Sequence, residues 1–131
     1  MSSFFKIALA ATAFLFCSQV FAQNQADVFV PISKYISRGE AEPLSAWFDD
    51  CLDITVSSDG RNASKTQARQ ILKAFFDQNT PSDFKITHTA TQGDMKSALG
   101  TLVAGGKNFS VTIFVIYKNN QYKIQQLKIE G

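Results

Sequence analysis

The chain has one histidine and two cysteines, and these shortages remove most ordinary catalytic and metal-binding arrangements. A metal site built on two histidines is impossible within one chain. No Cys-x-x-Cys, no phosphate-cradling glycine loop and no ordered Ser/His/Asp set is present. Asp49, Asp50 and Asp53 lie close together. They lack the Asp-x-Asp-x-Asp-Gly loop and distal Glu of a calcium site, so they read as solvated acids. No metal and no cofactor is expected. The net charge is only +2, with no basic block or stripe, so neither nucleic acid nor an anionic membrane surface is indicated as a partner.

What the N-terminus does contain is a leader. Lys6 precedes an apolar run from Ile7 to Phe16, and Val20-Phe21-Ala22 offers a small residue before a cut. The run is roughly half of the ~20 residues that span a bilayer, so no stable membrane insertion is expected after cleavage. The reading is a signal peptide over residues 1–22, cut after Ala22, and an exported protein, periplasmic or extracellular. Residues 23–131 then suit a single domain with one core. Phe16 argues against lipid attachment at Cys17. With Cys17 removed, Cys51 has no intramolecular partner. Leu44, Trp47 and Phe48 precede it at helical spacings, which predicts a buried, inert thiol on a helix face.

The rest of the chain changes period midway, helical first and strand-like second. Val28, Phe29, Ile32, Tyr35 and Ile36 predict a helix that Gly39 stops. Pro43 opens a second, whose apolar face is Leu44, Trp47, Phe48 and Cys51. Leu52, Ile54 and Val56 alternate with polar residues as one short strand, broken at Ser57-Ser58-Asp59-Gly60. Ser64 and Gln67 form a capping-box pair, ahead of an apolar stripe of Ala68, Ile71, Leu72, Phe75 and Phe76. From Asp83 the period is two, punctuated by Gly93-Asp94, Gly105-Gly106 and Asn119-Asn120, each suited to a tight hairpin. The expected fold class is α+β: three N-terminal helices with one short strand, packed on a curved four-stranded antiparallel meander. A two-residue turn at Asn119-Asn120 leaves Leu127 and Ile129 on the wrong face unless a bulge falls at Gln125-Gln126. The hairpin at Gly93-Asp94 needs a similar repair, which leaves the face of His88 open.

This order of elements, with a Leu44-Ser45-Ala46-Trp47-Phe48 helix feeding Leu52-Asp53-Ile54-Thr55-Val56, resembles the nuclear transport factor 2-like superfamily, a cystatin-like α+β cone. The leader, the length and the run of residues also resemble a family of small secreted bacterial proteins with this fold and no assigned function. The resemblance implies a cavity between the helices and the concave sheet face, which members use as an enzyme site, a ligand pocket or a filled core. The acid–base pairs of the isomerase and dehydratase members have no counterpart motif here.

Within that expectation Tyr35, Trp47 and His88 are the cavity candidates for a small ligand. Tyr35 and Trp47 each add a polar handle to an apolar helix, and His88 brings a ring tunable near neutral pH. Phe114 and Ile116 alternate with Ile113, Val115 and Tyr117, so one central strand is apolar on both faces. A sheet open to water on one side does not look like that, and a homodimer through the sheet is the simplest cover. Three readings follow. The first is a non-catalytic exported module that binds a small ligand or a protein partner in the cell envelope. The second is a small cofactor-free isomerase or dehydratase, with His88 as acid–base and Tyr35 as oxyanion donor. The third is a purely structural assembly domain. No catalytic residue is assigned.

Overall fold

The computed structural model describes residues 28–131. The expected leader, residues 1–22, and the expected cut after Ala22 lie outside the described residues. Helix α1 spans Phe29–Arg38. Pro31 sits in its first turn, where a missing N–H costs nothing. Gly39 ends it at φ 66°, donating its N–H to Ile36 while Glu40 bonds back to Tyr35. Helix α2 is brief, Ala41–Ser45. The long helix α3, Lys65–Gln78, starts as its capping box predicts. Ser64 Oγ accepts from the Gln67 N–H, and Gln67 Oε1 accepts from the Ser64 N–H, both at 3.2 Å.

The strands are β1 (Phe48–Val56), β2 (Asp59–Ser64), β3 (Pro81–Gln92), β4 (Met95–Ala104), β5 (Lys107–Lys118) and β6 (Gln121–Glu130). They form one six-stranded sheet in the order β2-β1-β6-β5-β4-β3. The expected four-stranded meander is therefore a correction. β3 to β6 do run as successive antiparallel neighbours, but β1 joins them in parallel with β6, and β2 extends the sheet. β2 escaped the pattern because Asp-Gly-Arg-Asn-Ala-Ser buries only Ala63. It turns back through Ser57 and Ser58, at φ 53° and 74°, positions that a hairpin normally gives to Asn and Gly.

The second helix is also shorter than expected. It stops at Ser45 because the sheet claims the backbone that follows. The Trp47 carbonyl accepts from the Ile124 N–H at 2.7 Å, and Phe48 pairs with Ile124. Cys51 consequently lies in a strand and alternates against buried Leu52. It is exposed, not buried as predicted.

Both expected corrections of register are present. Gln125 is the extra residue on β6, and beyond it Ile113 faces Leu127 and Val111 faces Ile129, all buried. On β3 the extra residue is Thr87, between Ile86↔Gly100 and His88↔Leu99. Bulges of this kind also bend and twist the sheet. The inner face of the curved sheet closes on the helices. Ile32 and Ile36 from α1 and Leu72, Phe75 and Phe76 from α3 join Phe84, Leu102, Ile113 and Leu127 in one cluster. Phe75 packs edge-on against Phe109 of β5, centroids 5.1 Å apart, an arrangement that adds about 0.5–1.5 kcal/mol to area burial. Gly100 lets the Phe84 ring drop onto β4: a Cβ there would lie 2.8 Å from that ring and 2.6 Å from the Lys85 carbonyl oxygen.

Candidate functional surface

The strand registers decide which predicted residues meet. Thr87 has no partner on β4, so the alternation inverts after Ile86. Phe84 and Ile86 face the helices. His88 emerges on the opposite, outer face beside Leu99, exposed, with Nδ1 3.2 Å from its neighbour Thr87 Oγ1. Tyr35 and Trp47 are half-buried against the core on the inner side. The three cavity candidates therefore do not converge: two face inward and the histidine faces out. Among the described residues no group of three or more His, Cys, Asp or Glu side chains is arranged to hold a metal ion.

Two open grooves flank α3. One, about 470 Å³, lies between Glu40–Pro43 and Arg69, Lys73 and Asp77. The other, about 500 Å³, lies between β2 and α3. Neither is lined by Tyr35, Trp47 or His88. At the inner mouth of the sheet Tyr117 and Tyr122 pack edge-on at 4.9 Å, with Lys96 Nζ 5.1 Å above the Tyr122 ring. That ammonium–ring contact is worth about 0.5–1 kcal/mol where it is wet.

Of the exposed large apolar side chains among the described residues, Met95 and Leu99 lie on the outer sheet face, and Val30 and Tyr117 lie elsewhere. Met95 lies opposite Ile116, and Ser97 lies opposite Phe114. Leu99 stands one place further along β4, opposite Thr112. Leu99 is 47% and Met95 38% exposed, and Phe114 and Ile116 are half-buried. No helix among the described residues lies on this side. The patch is framed by His88, Thr101, Lys123 and Gln126.

Beside it sits the one buried acid among the described residues, where the sequence predicts a solvated carboxylate. Asp49 is 9% exposed. Its Oδ2 accepts from Lys118 Nζ at 2.7 Å and from Gln125 Nε2 at 3.3 Å, and its Oδ1 accepts from the Asp50 N–H at 2.9 Å. Burial pushes this carboxyl upward, but the three donors outweigh it and hold it below the ordinary carboxylate value. β1 advances five residues from Phe48 to Asp53 while β6 advances two, from Ile124 to Gln126. Asp49 lies in that excess and pins it to β5 and β6. No local pattern announces the contact, since its partners lie 69 and 76 residues away. Asp53 is exposed, with Asn62 Nδ2 at 3.2 Å.

The α+β architecture matches the class that the order of elements suggested. Residues 29–130 match the family model described as a domain of unknown function, DUF4783, and the chain belongs to that family. It is similar to the crystal structure of a DUF4783 family protein from Bacteroides ovatus, at 26% identity and a TM-score of 0.75, covering 78% of this chain and 93% of that one. A Bacteroides uniformis protein of the same family is similar at 23% identity and a TM-score of 0.76, covering 80% and 97%. A Nostoc punctiforme domain of unknown function with a cystatin-like fold shares 12% identity at a TM-score of 0.59, over 76% of this chain and 69% of that one. No curated protein matches. The fold is thus nuclear transport factor 2-like and cystatin-like, in a family whose function is unknown.

Proposed function

We propose that this chain is a non-catalytic recognition module of the cell envelope, exported by its leader, and that it associates with a second copy through the outer sheet face. The observation that supports this is the patch of Met95, Leu99, Phe114 and Ile116 on the water-facing side of two central strands. Leaving a large apolar side chain wet forfeits about 1.5–3 kcal/mol of burial. A ring of polar residues around such a patch is the usual anatomy of an interface.

A second copy is compatible with the charge on this face, where acids and lysines are interspersed: Asp83 and Glu130 stand beside Lys85 and Lys128 at one end of the strands, and Lys123 lies at the other, near Ile116. The isomerase or dehydratase alternative needs His88 in the concave face beside a second polar group, and its position on the outer face removes the support for that reading.

The test is sedimentation velocity on the mature chain at tens of micromolar, for wild type and Leu99→Asp. Self-association of the wild type that weakens at least about tenfold in the variant supports the reading. A wild type that stays monomeric ends it. Sequencing the N-terminus of protein taken from the envelope, with Gln23 expected first, tests export.

A further inference from the structure

We infer that the edge of β3, unpaired among the described strands, is a second, independent self-association surface, in which His88–Gln92 pairs antiparallel with the same segment of another copy to join two sheets into one. This goes beyond the outer-face reading and does not rest on it.

A sheet edge presents unpaired N–H and C=O groups, and natural proteins blunt such edges with charge, proline, bulges or shortness. Most of the edge here is blunted. β2, the opposite edge, is six residues long and carries Asp59 ion-paired with Arg61 at 2.6 Å. The first half of β3 has Pro81, Asp83 and Lys85 and ends in the bulge at Thr87. After the bulge these devices stop. His88-Thr89-Ala90-Thr91-Gln92 contains no proline, no acid, no lysine or arginine and no glycine. All five residues are exposed, and their register with β4 is unbroken from His88↔Leu99 to Gln92↔Met95. Segments that are β-prone, neutral and regular in this way are the ones that recruit another strand.

The segment is also complementary to itself. A two-fold axis normal to the sheet at Ala90 sets Ala90 against Ala90 of the second copy and Thr89 against Thr91. His88 then faces Gln92. Each residue stays on its own face. Threonine pairs directly across strands are favourable, and no like charges meet. Asp94, in the turn after β3, arrives one position from the other copy's Lys85, so opposite charges close both ends. Because the pairing is antiparallel and confined to this half of the strand, the two Pro81 ends of β3, each beside Gly39 at the end of α1, point away from each other.

The experiment places opposite charges at the axis. Ala90→Lys and Ala90→Glu are made in the Leu99→Asp chain, which lacks the outer-face contact, and their folds are checked by circular dichroism. Under the proposal the Leu99→Asp chain still dimerises. Each Ala90 variant alone loses that dimer by at least about tenfold in dissociation constant, because like charges face each other, and an equimolar mixture of the two recovers it. A Leu99→Asp chain that is fully monomeric overturns the edge while leaving the outer-face reading intact. Ala90 variants that dimerise as well as their parent, or a mixture that fails to recover, also overturn it. If instead Leu99→Asp has no effect and Ala90→Lys in the wild-type chain yields monomer, the outer-face reading falls and the edge stands.

Discussion

Replacing Asp49 tests whether a long-range polar contact holds β1 onto the rest of the sheet. The carboxylate accepts from three donors. Lys118 is 43% exposed along its side chain, so its ion pair is solvent-screened and worth about 0.5 kcal/mol. The bonds from Gln125 and from the Asp50 N–H come from neutral donors and contribute about 1 kcal/mol each. Asp49→Ala should therefore cost about 2–3 kcal/mol. Asp49→Asn keeps an acceptor for the neutral donors and should cost about 1 kcal/mol.

The pH dependence has a fixed sign. A carboxyl held below its unfolded value contributes stability that is fully present above the unfolded value, near 3.8, and is lost as pH falls through the lower folded one. Urea unfolding at about pH 7 and about pH 2.5 should show the gap between wild type and Asp49→Asn narrowing at the acid end. A gap of equal size at both pH values, or none at neutral pH, would refute the assignment of this contact.

Other substitutions probe the remaining joints of the fold. Gly100→Ala drives a Cβ into the Phe84 ring and the Lys85 carbonyl, and should cost about 1–3 kcal/mol in thermal or urea unfolding. Ser64→Ala removes half of the α3 capping box and should cost about 1 kcal/mol by the same measurement. Ser57→Asn with Ser58→Gly gives the β1–β2 turn the residues its positive φ angles favour, and should raise stability by about 1 kcal/mol.

The sequence was legible where local chemistry acts alone. The capping pair at Ser64 and Gln67, the stripe from Ala68 to Phe76 and the hairpin at Asn119-Asn120 each follow from neighbouring residues, and so did the need for an extra residue near Gln125. What resisted reading was set by distant pairing. Trp47, Phe48 and Cys51 fit a helical face, but β6 drew Phe48 onward into a strand through contacts no window of fifteen residues contains. β2 is polar because it is an edge with one buried residue, so periodicity had nothing to detect. The face of His88 turned on whether one threonine was left out of the register. Sequence reading supplied Phe114 and Ile116 from alternation; it missed Leu99 and Met95, which share their face only once β4 and β5 are aligned.

The parallel pairing of β1 with β6 has an implication for how the molecule is assembled. β1 is the first strand of the described residues and β6 the last, yet β6 is what seats β1 and β2 beside β5. The early half of the polypeptide therefore waits, its hairpin ungrafted, until residues 121–130 have been made. Truncation just upstream of Gln121 would strand both sides of that seam, giving a chain that collapses without closing.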